Sequence, residues 1–323
     1  MSDAAGDLGV LTSTRYVVDS ARHVHIIRPR VQAVAGGLVR RPLPVPAWDA
    51  ELHFVDGTAR TAQYVLVLDA LNFCFWGEPR WEVQHRGQWL NGYWALAVAL
   101  RRAVEEGVPI LDARFLAQMD LADLAQVLRG RGEVPLLEQR LASLREVGRG
   151  LLANYDGQFA NAIALAGHSA VALVRLLVRD FPSFDDVATY HGREVRFFKR
   201  AQICAADLAG SFGGRGYGEF DDLGRLTAFA DYKVPQVLRR LGILEYEPEL
   251  ARKVDARVFI PPGGEEEVEI RAATIWGVED LCRALADRGM TPTAVQVDWY
   301  LWELGQRRMP DEKPYHLTRT ICY

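Results

Sequence analysis

The chain has 323 residues, 49% of them hydrophobic and 25% charged, with 38 Lys plus Arg against 42 Asp plus Glu and a formal net charge of −4. Such a composition excludes a disordered chain, a collagen-like repeat and a disulfide scaffold. The slight negative balance argues against a broad basic face for long nucleic acid, although a few local cations would suffice for one small anion.

In chain order, Met1–Leu11 has neither the basic start nor the apolar run of a signal peptide. Residues 12–28 mix a turn-rich start with a helical patch. Val31–Trp48 reads as a connector, since Gly36-Gly37 and Pro42, Pro44 and Pro46 oppose a long helix. Glu51–Val55, Gln63–Phe75 and Trp81–His85 look strand-like, with Asp56-Gly57 and Gly77-Glu78-Pro79 as turns. A small antiparallel β-meander is therefore expected near residues 51–90.

From Gly92 onward the three-and-four spacing of apolar residues predicts helices over Tyr93–Glu106, Asp120–Arg129, Leu136–Ala153 and Phe159–Arg179. The same spacing predicts Glu194–Ala209, Leu223–Leu241, Glu279–Asp287 and Pro292–Arg307, with Thr291 as a cap before Pro292. The helices read as one mainly α domain over residues 1–323, with the small β insertion inside it. Phe159–Val178 carries Asn161, His168 and Arg175, so it does not read as a membrane span. Cys74, Cys204, Cys282 and Cys322 form no C-x-x-C pair, and reduced thiols in a cytoplasmic protein are expected.

The seven histidines match no zinc spacing, and no G-x-S-x-G is present, so neither a metal site nor a serine hydrolase has support. The stretch SFGGRGYG at 211–218 lacks the Lys-Ser/Thr of a Walker loop and reads as a helix–helix connection. Two segments combine carboxylates with aromatics: Leu226–Gln236, holding Phe229, Asp231, Tyr232 and Lys233, and Val297–Leu304, holding Asp298, Trp299, Trp302 and Glu303. Asp298 and Glu303 lie about 140° apart around a helix, so they would flank a pocket rather than share one narrow wall. Aromatic residues at this spacing are often simply core. A carboxylate among aromatics nevertheless suits N-glycosidic cleavage, where the acid stabilises an oxocarbenium-like sugar and the base stacks on a ring.

The runs FADYKVPQVL at 229–238, FFKRAQICAADL at 197–208, LNFCFW at 71–76 and DWYLWELG at 298–305 stand in one order. Together they resemble the queuosine salvage family, from about Ala21 to the C-terminus. The resemblance implies a helical body similar to the helix-hairpin-helix DNA glycosylases. It also implies a cytoplasmic, cofactor-free hydrolase that releases queuine from queuosine 5′-monophosphate and leaves ribose 5-phosphate. Its partner would be that small nucleotide, with neither a stable nucleic-acid complex nor a membrane.

Carried onto this chain, the resemblance makes Asp231 the catalytic carboxylate at C1′ and Phe229 the stacking ring. Asp298 and Glu303 would contact the base, where the family prefers Asp at the second position. Trp299 would add a wall, and His23 would lie near the ligand. Lys199, Arg200 and Lys233 are the candidate phosphate donors. Lys233 is alternatively the partner that holds Asp231 ionised, which would require a separate proton donor such as a carboxylate of raised pKa. A non-enzymatic nucleic-acid module, citing Arg22–Arg30 and Arg129–Arg145, and a hydrolase of another purine nucleotide are the competing readings.

Overall fold

The computed structural model describes residues 7–39, 43, 48–307 and 312–323; Met1–Gly6 and the prolines at 42, 44 and 46 lie outside them. Contacts divide the chain into two compact units, neither contiguous in sequence. One unit comprises Met1–Pro46, Asp186–Lys199 and Gly224–Thr320, the other Ala47–Asp185, Arg200–Leu223 and Ile321–Tyr323.

The described chain opens with helix α1 (Val10–Ser20), strand β1 (Val24–Ile26) and helix α2 (Arg28–Leu38). Helix α2 replaces part of the expected connector. Pro29 sits in its first turn, where the missing N–H costs nothing, and burial of Val31, Ala35 and Leu38 outweighs Gly36-Gly37. Helix α3 (Ala59–Ala70), capped by Thr58, occupies most of a segment expected as strand. Every residue from Thr61 to Ala70 is buried, so the run lacks the polar face that would have marked a helix. Glu51–Val55 forms no strand either, and the β element is one hairpin, β2 (Glu82–His85) with β3 (Gln88–Asn91).

Helices α4 (Gly92–Glu105), α5 (Ala113–Gln118), α6 (Leu121–Val127) and α7 (Leu137–Asn154) follow. The long helix expected over Phe159–Arg179 is two, α8 (Phe159–Ala166) and α9 (Ala170–Asp180). Gly167 ends the first in left-handed backbone, and Ser169 caps the second by accepting the Ala172 N–H. Strands β4 (Val187–Tyr190) and β5 (Arg193–Arg196) form a hairpin that takes the start of the helix expected at Glu194, leaving α10 as Lys199–Ser211.

The segment Leu223–Leu241 is helical only at α11 (Lys233–Arg240), apart from a short 3-10 turn at Leu223–Arg225. Pro235 explains this start, because proline fits only the first turn of a helix. Strand β6 (Leu244–Tyr246) pairs antiparallel with β1, and α12 (Pro248–Asp255) follows. Helix α13 (Glu265–Ala286) is far longer than the expected Glu279–Asp287; its residues 267–278 are all buried, and only its C-terminal turns are amphipathic. Helix α14 (Ala294–Gln306) starts with a Thr293–Gln296 capping box, so the cap is Thr293 and not Thr291.

Within the first unit, the core gathers Val24, Val31 and Ala35 with Val237, Leu238, Ile243, Ile270, Val278, Val297 and Leu301. Strand β1 therefore shares one core with α2, α11, α13 and α14. The chain is mainly helical, with only two-stranded antiparallel sheets among the described residues. None of the described helices is long and apolar enough to cross a membrane.

Candidate active site

Asp231 precedes α11 by two residues, and its position follows from the Pro235 start of that helix. Its Oδ1 accepts the backbone N–H groups of Lys233 and Val234, each at 2.8 Å, so the carboxylate sits on the positive end of the helix. The residue is 8% exposed. Asp298, on the inward face of α14, is 2% exposed and accepts the Phe229 N–H at 2.8 Å. This bond ties the FAD segment to the DWYLWELG helix, so two of the sequence runs meet at one point.

The two acids differ in their surroundings. Burial raises the Asp231 carboxyl above its ordinary value, opposed by Lys199, the two helix N–H groups and Lys233. Burial and the neighbouring charge of Asp231 push Asp298 much higher, opposed by the Phe229 N–H and Lys199. The expected depression of Asp231 by Lys233 is therefore corrected: loss of water outweighs both lysines. Between the two, Asp231 has more stabilisation for a negative charge, so the pair holds its first negative charge there and its proton on Asp298.

Lys199, expected as a phosphate donor, is buried and exerts its charge on both acids. Lys233 is half-buried, with its Nζ 3.3 Å from Gln236 Oε1 and from Gly305 O at the end of α14. Arg200 belongs to the second unit, where its guanidinium bonds the Ala70 carbonyl at 2.7 Å and the Ser183 carbonyl, between the rings of Phe73 and Phe184. That is a buried structural tie in place of the expected phosphate contact.

Phe229 is buried directly beside the acids through its backbone. Trp299 is half-buried next to Asp298. Glu303 departs from the expected pocket wall: its side chain is 42% exposed and pairs with Arg307 one turn on, at 3.0 Å. Such an exposed pair contributes little. Glu303→Gln is expected to leave steady-state kinetics within about twofold of the parent, which a single substrate titration checks. His23 is half-exposed with its ring 3.8 Å from Glu265, while its backbone N–H bonds Glu269 at 2.6 Å.

Several residues beneath this site were not singled out from sequence. Arg271 on α13 forms a buried two-pronged pair with Asp186, at 2.9 and 2.5 Å. Glu269, two residues away, gathers the N–H groups of Arg22, His23 and Val24 and the Tyr190 hydroxyl. The one available signal was three charged residues, Glu267, Glu269 and Arg271, in a segment otherwise rich in apolar side chains. A cavity of about 500 Å³ in the second unit, walled by Arg60, Gln63, Val108, Asp112, Arg114 and Gln158, is lined by none of the candidate residues.

Asp231, buried at the start of α11, and Asp298, pushed further above its ordinary carboxyl range, thus sit together under the opposing charge of Lys199. Residues 52–323 match the family described as queuosine salvage protein. A Sphaerobacter thermophilus protein named queuosine 5′-phosphate N-glycosylase/hydrolase is 55% identical over 323 residues, 100% of each chain. Proteins of the same name from Bos taurus and Dictyostelium discoideum are 36% and 39% identical, covering 98% and 82% of this chain and 99% and 79% of their own. The family match over residues 52–323 and the 55% identity over the full chain show that the chain belongs to the queuosine salvage protein family.

Proposed function

We propose that the chain is a nucleotide N-glycosidase that hydrolyses queuosine 5′-phosphate to queuine and ribose 5-phosphate, supplying queuine for tRNA modification. The observation that carries this reading is the Asp231–Asp298 pair, one acid placed to be ionised and the other to stay protonated. As the N-glycosidic bond breaks, positive charge develops at C1′ and negative charge on the departing base. Ionised Asp231 stabilises the sugar, either as a counter-charge or by a transient bond, and Asp298 donates its proton to the base. Water then adds at C1′, its hydroxyl completing ribose 5-phosphate and its other proton returning to Asp298. Phe229 stacks on the 7-deazaguanine and Trp299 supplies a second wall. Residues 1–323 act as one functional domain, since neither compact unit is a contiguous stretch.

Within Arg129–Arg145, several arginines that a nucleic-acid module would present are engaged within the chain. Arg140 is buried on the carbonyls of Leu71, Phe73 and Cys74, Arg131 pairs with Glu82 and Arg129 with Glu106. This supports a small nucleotide over a stable nucleic-acid or membrane complex, and the reduced thiols at Cys74, Cys204, Cys282 and Cys322 fit a cytoplasmic setting. Incubating the purified protein with queuosine 5′-phosphate and following queuine by mass spectrometry tests the reading. Absence of release, with salt-dependent tRNA binding in its place, would refute it.

Among the three cations expected to hold phosphate, Lys233 is the one kept for that role, because Lys199 serves the acids and Arg200 serves main-chain carbonyls. Lys233→Ala is expected to raise KM for the 5′-phosphate about 10- to 100-fold, the worth of a charge-assisted hydrogen bond. Turnover of the nucleoside should fall less, because there only the weaker effect of the Lys233 charge on Asp231 is lost. Equal losses on nucleotide and nucleoside would remove Lys233 from phosphate binding.

A further inference from the structure

We propose that the buried Arg271–Asp186 pair is the positioning element of the catalytic group, holding the extended segment ahead of Asp231 and the start of the Lys199 helix at one point. The proposal rests on the reading of Asp231 as the catalytic carboxylate. From α13, Arg271 sends its Nη atoms to both oxygens of Asp186 and its Nε to the Ala230 carbonyl at 3.2 Å, one residue before Asp231. Asp186 Oδ2 accepts the Lys199 N–H at 3.2 Å, and the Asp186 carbonyl accepts the N–H groups of Phe197 and Phe198 at 3.0 and 3.2 Å. The Phe197 ring covers the guanidinium, 3.8 Å from its centroid.

Phe198, immediately before Lys199, has a left-handed φ of 50°, a conformation that a phenylalanine keeps only when its surroundings impose it. The bonds to Asp186 are what impose it. One guanidinium thus links three backbone segments: residue 186, residues 197–199 and residue 230. Two of those segments end on groups that set the charge of the site.

A purely structural role predicts something different. A buried ion pair is a weak source of stability, and an apolar pair would serve the core equally well. Fork geometry matters when position is what is being held, and a lysine cannot reproduce it. The groups facing Asp231 are Lys199, Lys233, the α11 N–H groups and Asp298, and Glu267 lies 3.7 Å from the Arg271 Nη that also bonds Asp186.

The test uses Arg271→Lys and Asp186→Asn in the full chain. Arg271→Lys keeps the charge but loses the fork and the Ala230 bond; Asp186→Asn keeps an acceptor for the Lys199 N–H. Each should lower kcat for queuosine 5′-phosphate about 10- to 100-fold, the scale of a small misplacement, with KM within about threefold. The lower limb of the kcat–pH profile should move upward, because a displaced Lys199 no longer favours ionised Asp231. Should Arg271→Lys fail to fold, Asp186→Asn alone decides. Parental kcat with a parental pH profile, or a fall confined to KM or to melting temperature, overturns the proposal. A fully active Asp231→Asn variant would instead strike the catalytic reading itself, so the two failures are distinguishable.

Discussion

Asp231→Asn is expected to slow queuine release by about 10³-fold or more, the cost of removing a group aimed at transition-state charge. The fold should survive it. Asn retains an oxygen in the Oδ1 position, and that atom holds the Lys233 and Val234 N–H groups at the start of α11. Moreover, substitution removes a charge whose burial is unfavourable, so the melting temperature near neutral pH should equal or exceed that of the parent. Single-turnover release of queuine, read beside thermal melting, separates these effects. A release rate equal to the parent's would place the catalytic charge elsewhere.

The separation between fold and chemistry at Asp231 also explains what could be read from the sequence. The acid was legible because it stands between a buried aromatic and a proline-started helix, and both neighbours carry local signals. Helices with one wet face, such as α7 and α14, were legible for the same reason: period 3.6 survives wherever water takes one side. Helix α3 and the first half of α13 were not, because Thr61–Ala70 and residues 267–278 are buried on every face. A run buried all round shows neither helical nor strand period, and Val65, Val67 and their neighbours then resemble a strand.

The same burial hid Arg271, Asp186 and Glu269. Sequence places a charged side chain on the surface by default, and these three are nearly inaccessible. Their meaning emerges only when partners 85 and 245 or more positions apart meet, as Arg271 meets Asp186 and Glu269 meets Val24. Lys199 and Arg200 show the opposite error. Adjacent cations in FFKRAQ suggest a shared phosphate, yet one serves the two acids and the other a pair of carbonyls. Adjacent residues at the start of a helix point about 100° apart, so a common ligand does not follow from adjacency.

Asp298 yields the second large effect, and its sign can be worked out. Its folded pKa lies well above the unfolded value of about 3.9, from burial first and the Asp231 charge second. A carboxyl raised on folding contributes stability that is complete below the unfolded pKa and lost as pH rises through the folded one. Asp298→Asn, which can still accept the Phe229 N–H, has no such loss. It should melt close to the parent near about pH 4 and above it at alkaline pH, with a gap that widens as pH rises. Activity should go the other way: loss of the proton donor lowers kcat about 10²- to 10⁴-fold. The parent's rate should fall as pH climbs through the Asp298 pKa, and the residual rate of the variant should lack that limb. A variant that melts below the parent at alkaline pH would show that the ionised form of Asp298 stabilises the fold. The proton would then have to be assigned to Asp231 and the roles of the two acids exchanged.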